Sequence, residues 1–119
     1  FFEVLRKGAV ADVARITEAL LKVYANSAEN ASVRIQAVYA LSSLYYKEHN
    51  KTIAYLNLAD YWNPAPATPR DPKTFYDAGL EQQVRMTLKI FTDSIDFGTN
   101  YAGWMDWYRK NEALLKARP

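Results

Sequence analysis

His49 is the only histidine of the chain, and Ser42, Ser43 and Glu48 stand within seven positions of it, the residue types of a nucleophile and an orienting acid around a base. Its place between two helical patterns suits a solvated or capping histidine better than a triad base. Asp93 and Asp96 sit three apart, with Asp106 following, so carboxylates gather on either side of Gly98. Glycoside hydrolysis needs two such groups at a defined separation across a cleft. Acids at helix ends are more commonly solvated, and that is the reading adopted for these three.

With no cysteine and one histidine, thiolate sites, disulfides and histidine-rich metal sites are excluded. Gly8, Gly79, Gly98 and Gly103 are isolated and do not form a phosphate-cradling loop. The expectation is a protein that is not an enzyme and carries neither cofactor nor metal.

Aromatic residues are the compositional anomaly: nine Tyr, five Phe and three Trp in 119 residues. Tyr61 and Trp62 form one group; Tyr101, Trp104, Trp107 and Tyr108 form another. Large rings with a polar edge suit a core, a partner interface or a ligand pocket. Helical spacing of Trp104, Trp107 and Tyr108 favours the core, while Tyr61, Trp62, Trp104 and Trp107 together are the candidates for an aromatic pocket for a small molecule or glycan between two helical halves.

The elements that must position these side chains are helices. Glycine is scarce, β-branched residues fall into helical spacing, and the expected fold class is all-α, one helical domain over residues 1–119 with about five helices in antiparallel hairpins or a compact bundle. Val10, Val13, Thr17, Leu20, Leu21 and Tyr24 mark a helix over 9–25, and 26–31 reads as a turn. Ser32 can cap the next helix, whose stripe is Ala37, Ala40, Leu41, Leu44 and Tyr45, widened by Val38, Tyr39 and Tyr46 so that neighbours are expected on two sides. After a turn at His49 and Asn50, Ile53, Leu56, Ala59 and Tyr61 give a short helix that Pro64 ends.

Residues 63–72, NPAPATPRDP, hold four prolines and form an extended connector, read as a strap over the domain's own surface in preference to a proline-rich ligand for another protein. Asp71-Pro72 reads as a helix start, and Leu80, Val84, Leu88, Phe91 and Ile95 continue what should be the longest helix, broken at Gly98. Thr99 or Asn100 can cap the last helix, with a face of Trp104, Trp107, Tyr108, Leu114 and Leu115.

The net charge of +2, from 15 basic and 13 acidic residues without blocks, offers no extended field for nucleic acid. No apolar run reaches the roughly 20 residues that span a bilayer. The chain opens on Phe1 without an initiator methionine, which leads to the expectation that upstream residues, a signal peptide among the candidates, have been removed. Asn30-Ala31-Ser32 and Asn50-Lys51-Thr52 have the form of glycosylation triplets, a frequent chance motif.

The segment from Ala37 to Pro64 resembles one tetratricopeptide unit. Leu41 takes the leucine place, Ser42 the small place and Tyr45 the first aromatic place; Leu56, Ala59 and Pro64 take the large, small and closing-proline places of the second helix. The turn is about two residues shorter than that family's, and Thr52 replaces its alanine. A second similarity is to HEAT repeats, through Val33-Arg34 with Ala37 and Leu41, and Val84-Arg85 further on. The tetratricopeptide resemblance implies a groove lined by Gln36, Tyr39, Ser43, Tyr46 and Lys47 that binds an extended or helical peptide. Ala40 and Ser43 stand where carboxylate-clamping members carry asparagine, which disfavours recognition of a terminal carboxylate. The expected function is therefore a non-enzymatic module binding a protein or peptide partner, as adaptor, chaperone or inhibitor, with homo-oligomerisation expected if an apolar end face is left open.

Overall fold

The computed structural model describes residues 10–42, 48–66 and 70–117. Five α-helices occur there, α1 (Val10–Ala25), α2 (Ala31–Leu41), α3 (Glu48–Ala59), α4 (Ala78–Phe91) and α5 (Tyr101–Ala117), with a short 3₁₀ turn Asp60–Trp62 after α3 and no strand among the described residues. The fold is all-α.

Each helix begins and ends for a local reason. At α2 the cap is Asn30 and not Ser32: the Asn30 side chain accepts from the Ser32 amide at 2.8 Å, and its carbonyl receives the Val33 and Arg34 amides. α3 already includes His49 and Asn50, so the expected turn there is helix, and its buried face is Ala54, Tyr55, Leu58 and Ala59, with Ile53 and Leu56 at the margin. α4 starts at the Asp77 cap, whose carboxylate accepts from the Leu80 amide at 3.0 Å.

Asp71-Pro72 does close one turn, through bonds from the Thr74 and Phe75 amides to the Asp71 carbonyl. The turn does not propagate, because the Thr74 and Phe75 carbonyls accept from Arg34 Nη1 at 3.2 and 2.9 Å and Phe75 is drawn into the core.

α4 ends at Phe91, seven residues before Gly98, where Asp93 (φ 62°) and Ser94 (φ 80°) turn left-handed and the Ser94 amide reaches back to the Lys89 carbonyl at 2.7 Å. Ile95 consequently lies exposed in a loop instead of extending the Leu80, Val84, Leu88, Phe91 stripe. Among the described residues α4, with 14, is shorter than α1, with 16; α5 is capped by Asn100, whose side chain accepts from the Gly103 amide at 3.0 Å. It kinks at Asn111 (φ −124°), whose side-chain amide donates to the Trp107 carbonyl at 2.9 Å. Past that kink Leu114 is exposed and not part of the core face.

The five-residue turn 26–30 brings α2 back along α1, and α2 lies between α1 and α4. α3 packs chiefly on α5 and also meets α1 and α4, so α2 and α3, although consecutive, each have their main partner elsewhere. One continuous buried cluster draws on all five helices, from Tyr24 through Val38, Leu41, Tyr55 and Leu58 to Leu80, Leu88, Trp104 and Trp107. The radius of gyration, 13.6 Å, equals the roughly 13.5 Å expected of one compact unit of this length.

Candidate functional site

The residues inferred for a partner groove fall on α2 and just beyond it. Gln36 is exposed and Tyr39 is the most exposed large apolar side chain on α2, at 57%. Ser43, Tyr46 and Lys47 lie outside the described residues. Gln36 and Tyr39 share a shallow depression of about 550 Å³ between α1 and α2. Leu20 and Val23, three apart on α1, form one wall; Val33, 45% exposed, stands on the other; Ala37 and Ala40, both nearly buried, make the floor. Among the described residues no charged side chain lines it. The only charge on α2 is Arg34, and it is turned fully inward.

That inward arginine ties α2 to the end of α1 and to residues 74 and 75. Its Nε donates to the Tyr24 carbonyl at the end of α1 at 2.8 Å, while Nη1 donates to the Thr74 and Phe75 carbonyls. Burial lowers the Arg34 pKa, opposed by the neighbouring Tyr24, Tyr61 and Asp77. The charge is spread over carbonyl dipoles and the Phe75 ring, whose centroid lies 4.8 Å from the guanidinium carbon. Arg70 sits 4.4 Å from the same ring and is ion-paired to Asp60. Sequence reasoning missed Arg34, Val23 and Val33 as parts of this region. The readable signal was Val23 falling three residues from Leu20 but off the Thr17 and Tyr24 stripe, and Val33 facing the same way as Ala37 and Ala40.

The residues considered for an aromatic pocket are brought together, but as core. Trp62 and Trp104 stack at 6.1 Å and 14°, Tyr55 stacks on Trp107 at 5.5 Å, and Phe97 meets Trp104 edge-on at 5.0 Å. Tyr61 and Trp104 expose 1% and 0% of their surface. Three polar edges are used internally, the Trp104 indole donating to the Gly98 carbonyl at 2.9 Å, the Tyr55 hydroxyl to the Trp104 carbonyl at 2.6 Å, and the Tyr61 hydroxyl accepting from the Asp77 amide at 3.1 Å, while the buried Trp62 indole nitrogen has no partner among the described residues. Burial is the main cause that raises the phenol pKa values of Tyr24, Tyr55 and Tyr61, so all three remain neutral donors.

Of the three acidic residues considered for catalysis, Asp93 lies in the left-handed turn after α4, and Asp96 and Asp106 are taken up by neighbouring cations. Asp96 accepts from Arg85 at 2.9 Å, and this hydrogen bond leads the causes that hold its pKa below the ordinary carboxylate value. Asp106 is paired with Lys110 at 3.0 Å and Arg109 at 3.7 Å. Among the described residues no three His, Asp or Glu side chains are grouped to hold a metal ion, and no helix is long and apolar enough to cross a membrane. The side chain of His49 lies outside those described. No protein-family model, characterised protein or solved structure matches this sequence.

Proposed function

We propose that this chain is a non-enzymatic helical module that binds a protein or peptide partner in the groove between α1 and α2, with Gln36 and Tyr39 among the contacting residues. The observation that carries the reading is a depression of about 550 Å³, without a charged side chain among the described residues, floored by Ala37 and Ala40 and walled by Leu20, Val23 and the exposed Val33. Small residues in the floor admit close approach, and aliphatic walls from two helices match the apolar stripe of an amphipathic helix, with anchors three or four residues apart. Tyr39 at the rim supplies contact area at low entropic cost and keeps a hydroxyl for a hydrogen bond. The likeness to tetratricopeptide and HEAT hairpins supports the same class of function by analogy.

A display library of helical and extended peptides selected on the immobilised chain tests this. Enrichment of sequences with apolar residues at i and i+3 or i+4 is the expected result. Failure to enrich any peptide above an unrelated helical protein would sink the proposal.

A further inference from the structure

We propose that the strap Arg70–Asp77 controls the groove between α1 and α2, with Arg34 as the connecting side chain. The inference rests on the groove being the binding surface and adds how that surface is set. Arg34 stands on α2 directly inside Val33, and its Nε bond to the Tyr24 carbonyl pins the end of α1, which carries Leu20 and Val23, to the helix carrying the opposite wall. At the other end of the guanidinium, Nη1 is held by the strap carbonyls of Thr74 and Phe75, and the buried Nη2 has no partner among the described residues. One rigid planar fork therefore touches both walls and the strap.

The strap is itself held by a few side chains and not by secondary structure. Arg70 donates to the Asp60 carbonyl at 2.8 Å and pairs with the Asp60 carboxylate. The Tyr61 hydroxyl meets both the carbonyl and the amide of Asp77, at 3.3 and 3.1 Å. Phe75 is buried in the core cluster against both guanidinium groups and the Tyr24 and Tyr61 rings, whereas Asp71, Pro72, Lys73 and Thr74 are exposed. Phe75 is the one buried residue of the strap, and a non-helical segment seated through a single ring opens more readily than the helices around it. When it lifts, Arg34 loses two of its acceptors and the ring beneath it. The fork is then free to turn, and the spacing of α1 and α2 is no longer fixed from below. A groove that is no longer preorganised binds its partner more weakly.

The test uses the whole chain, which has no cysteine of its own. Spin labels on Lys22→Cys and Ser32→Cys report the distance between α1 and α2, and amide exchange at Asp77 reports the strap. Phe75→Ala and, as a milder change at a partly exposed side chain, Arg70→Gln release the strap. The expected result is exchange at Asp77 faster by roughly tenfold, together with a broadened Lys22–Ser32 distance distribution and about tenfold weaker binding of a selected groove peptide. Faster exchange with an unchanged distribution would overturn the proposal, as would unchanged exchange in both variants. If Phe75→Ala unfolds the chain, Arg70→Gln carries the measurement. If no peptide binds even the unaltered chain, the groove reading fails, while the label distances still decide whether strap and helices are coupled.

Discussion

Arg34→Lys keeps the positive charge and removes the fork, so it isolates what guanidinium geometry does. Arg34 makes three hydrogen bonds, at 2.8, 3.2 and 2.9 Å, to carbonyls on two sides of α2. Net worth is about 1.5–3 kcal/mol for a bond from a charged group. An ammonium reaches the Tyr24 carbonyl or the strap carbonyls, not both, so one or two bonds are lost, and the contact with Phe75 weakens by about 1 kcal/mol. The sum is a destabilisation of about 2.5–7 kcal/mol, a large fraction of the roughly 5–15 kcal/mol that holds a domain of this kind folded. Urea unfolding followed by tryptophan fluorescence reads it directly, as a lower midpoint with an unchanged slope. Arg34→Met gives the contrast: it relieves the burial of a charge, and its cost comes from the carbonyls left unpaired. A loss below about 1 kcal/mol for Arg34→Lys would refute the reasoning, because the fork would then not be the device joining α1, α2 and the strap.

Three further outcomes follow from particular contacts. Ser94→Gly should stabilise the chain by about 1 kcal/mol, since Ser94 pays the left-handed penalty at φ 80° that glycine does not; thermal unfolding checks this, and no rise in midpoint would contradict it. Gly98→Ala, at φ 60° with open space around it, should cost about 1 kcal/mol through backbone strain alone in the same assay. Burial raises the pKa of Tyr24 and Tyr55 above that of unfolded tyrosine, so their contribution is intact below about pH 10 and is lost as pH rises beyond it. Ultraviolet titration should accordingly show these two phenols ionising only with alkaline unfolding, and Tyr55→Phe should reduce that dependence at a cost of about 1 kcal/mol for the bond to the Trp104 carbonyl.

What the sequence carried was local. The span of α1, the Leu80, Val84, Leu88, Phe91 stripe and the Asn100 cap follow from spacing and capping chemistry that act within a turn or two. The failures share a cause in contacts far along the chain. Asp71-Pro72 is a sound helix start, and it stalls because Arg34, some forty residues earlier, takes the carbonyls that the next turn needs. Asp93 and Ser94 bear no mark of positive φ, so the end of α4 could not be read seven residues before Gly98. The groove was half legible: Gln36 and Tyr39 came from the hairpin resemblance, but the wall from α1 depends on how two helices pack. Nothing in the pattern Val33-Arg34-Ile35 distinguishes a buried arginine from a solvated one except its apolar neighbours.

The measurement that bears most directly on the groove is titration of a selected peptide against the unaltered chain, Val33→Asp and Ile90→Asp. Val33 lines the groove and Ile90, similarly exposed on α4, does not. A charge set in the apolar wall should weaken binding by about 30-fold, the scale of a hot-spot loss near 2 kcal/mol, while Ile90→Asp leaves it unchanged. Equal affinity for all three proteins, or loss only with Ile90→Asp, would contradict the account and place the partner elsewhere on the surface.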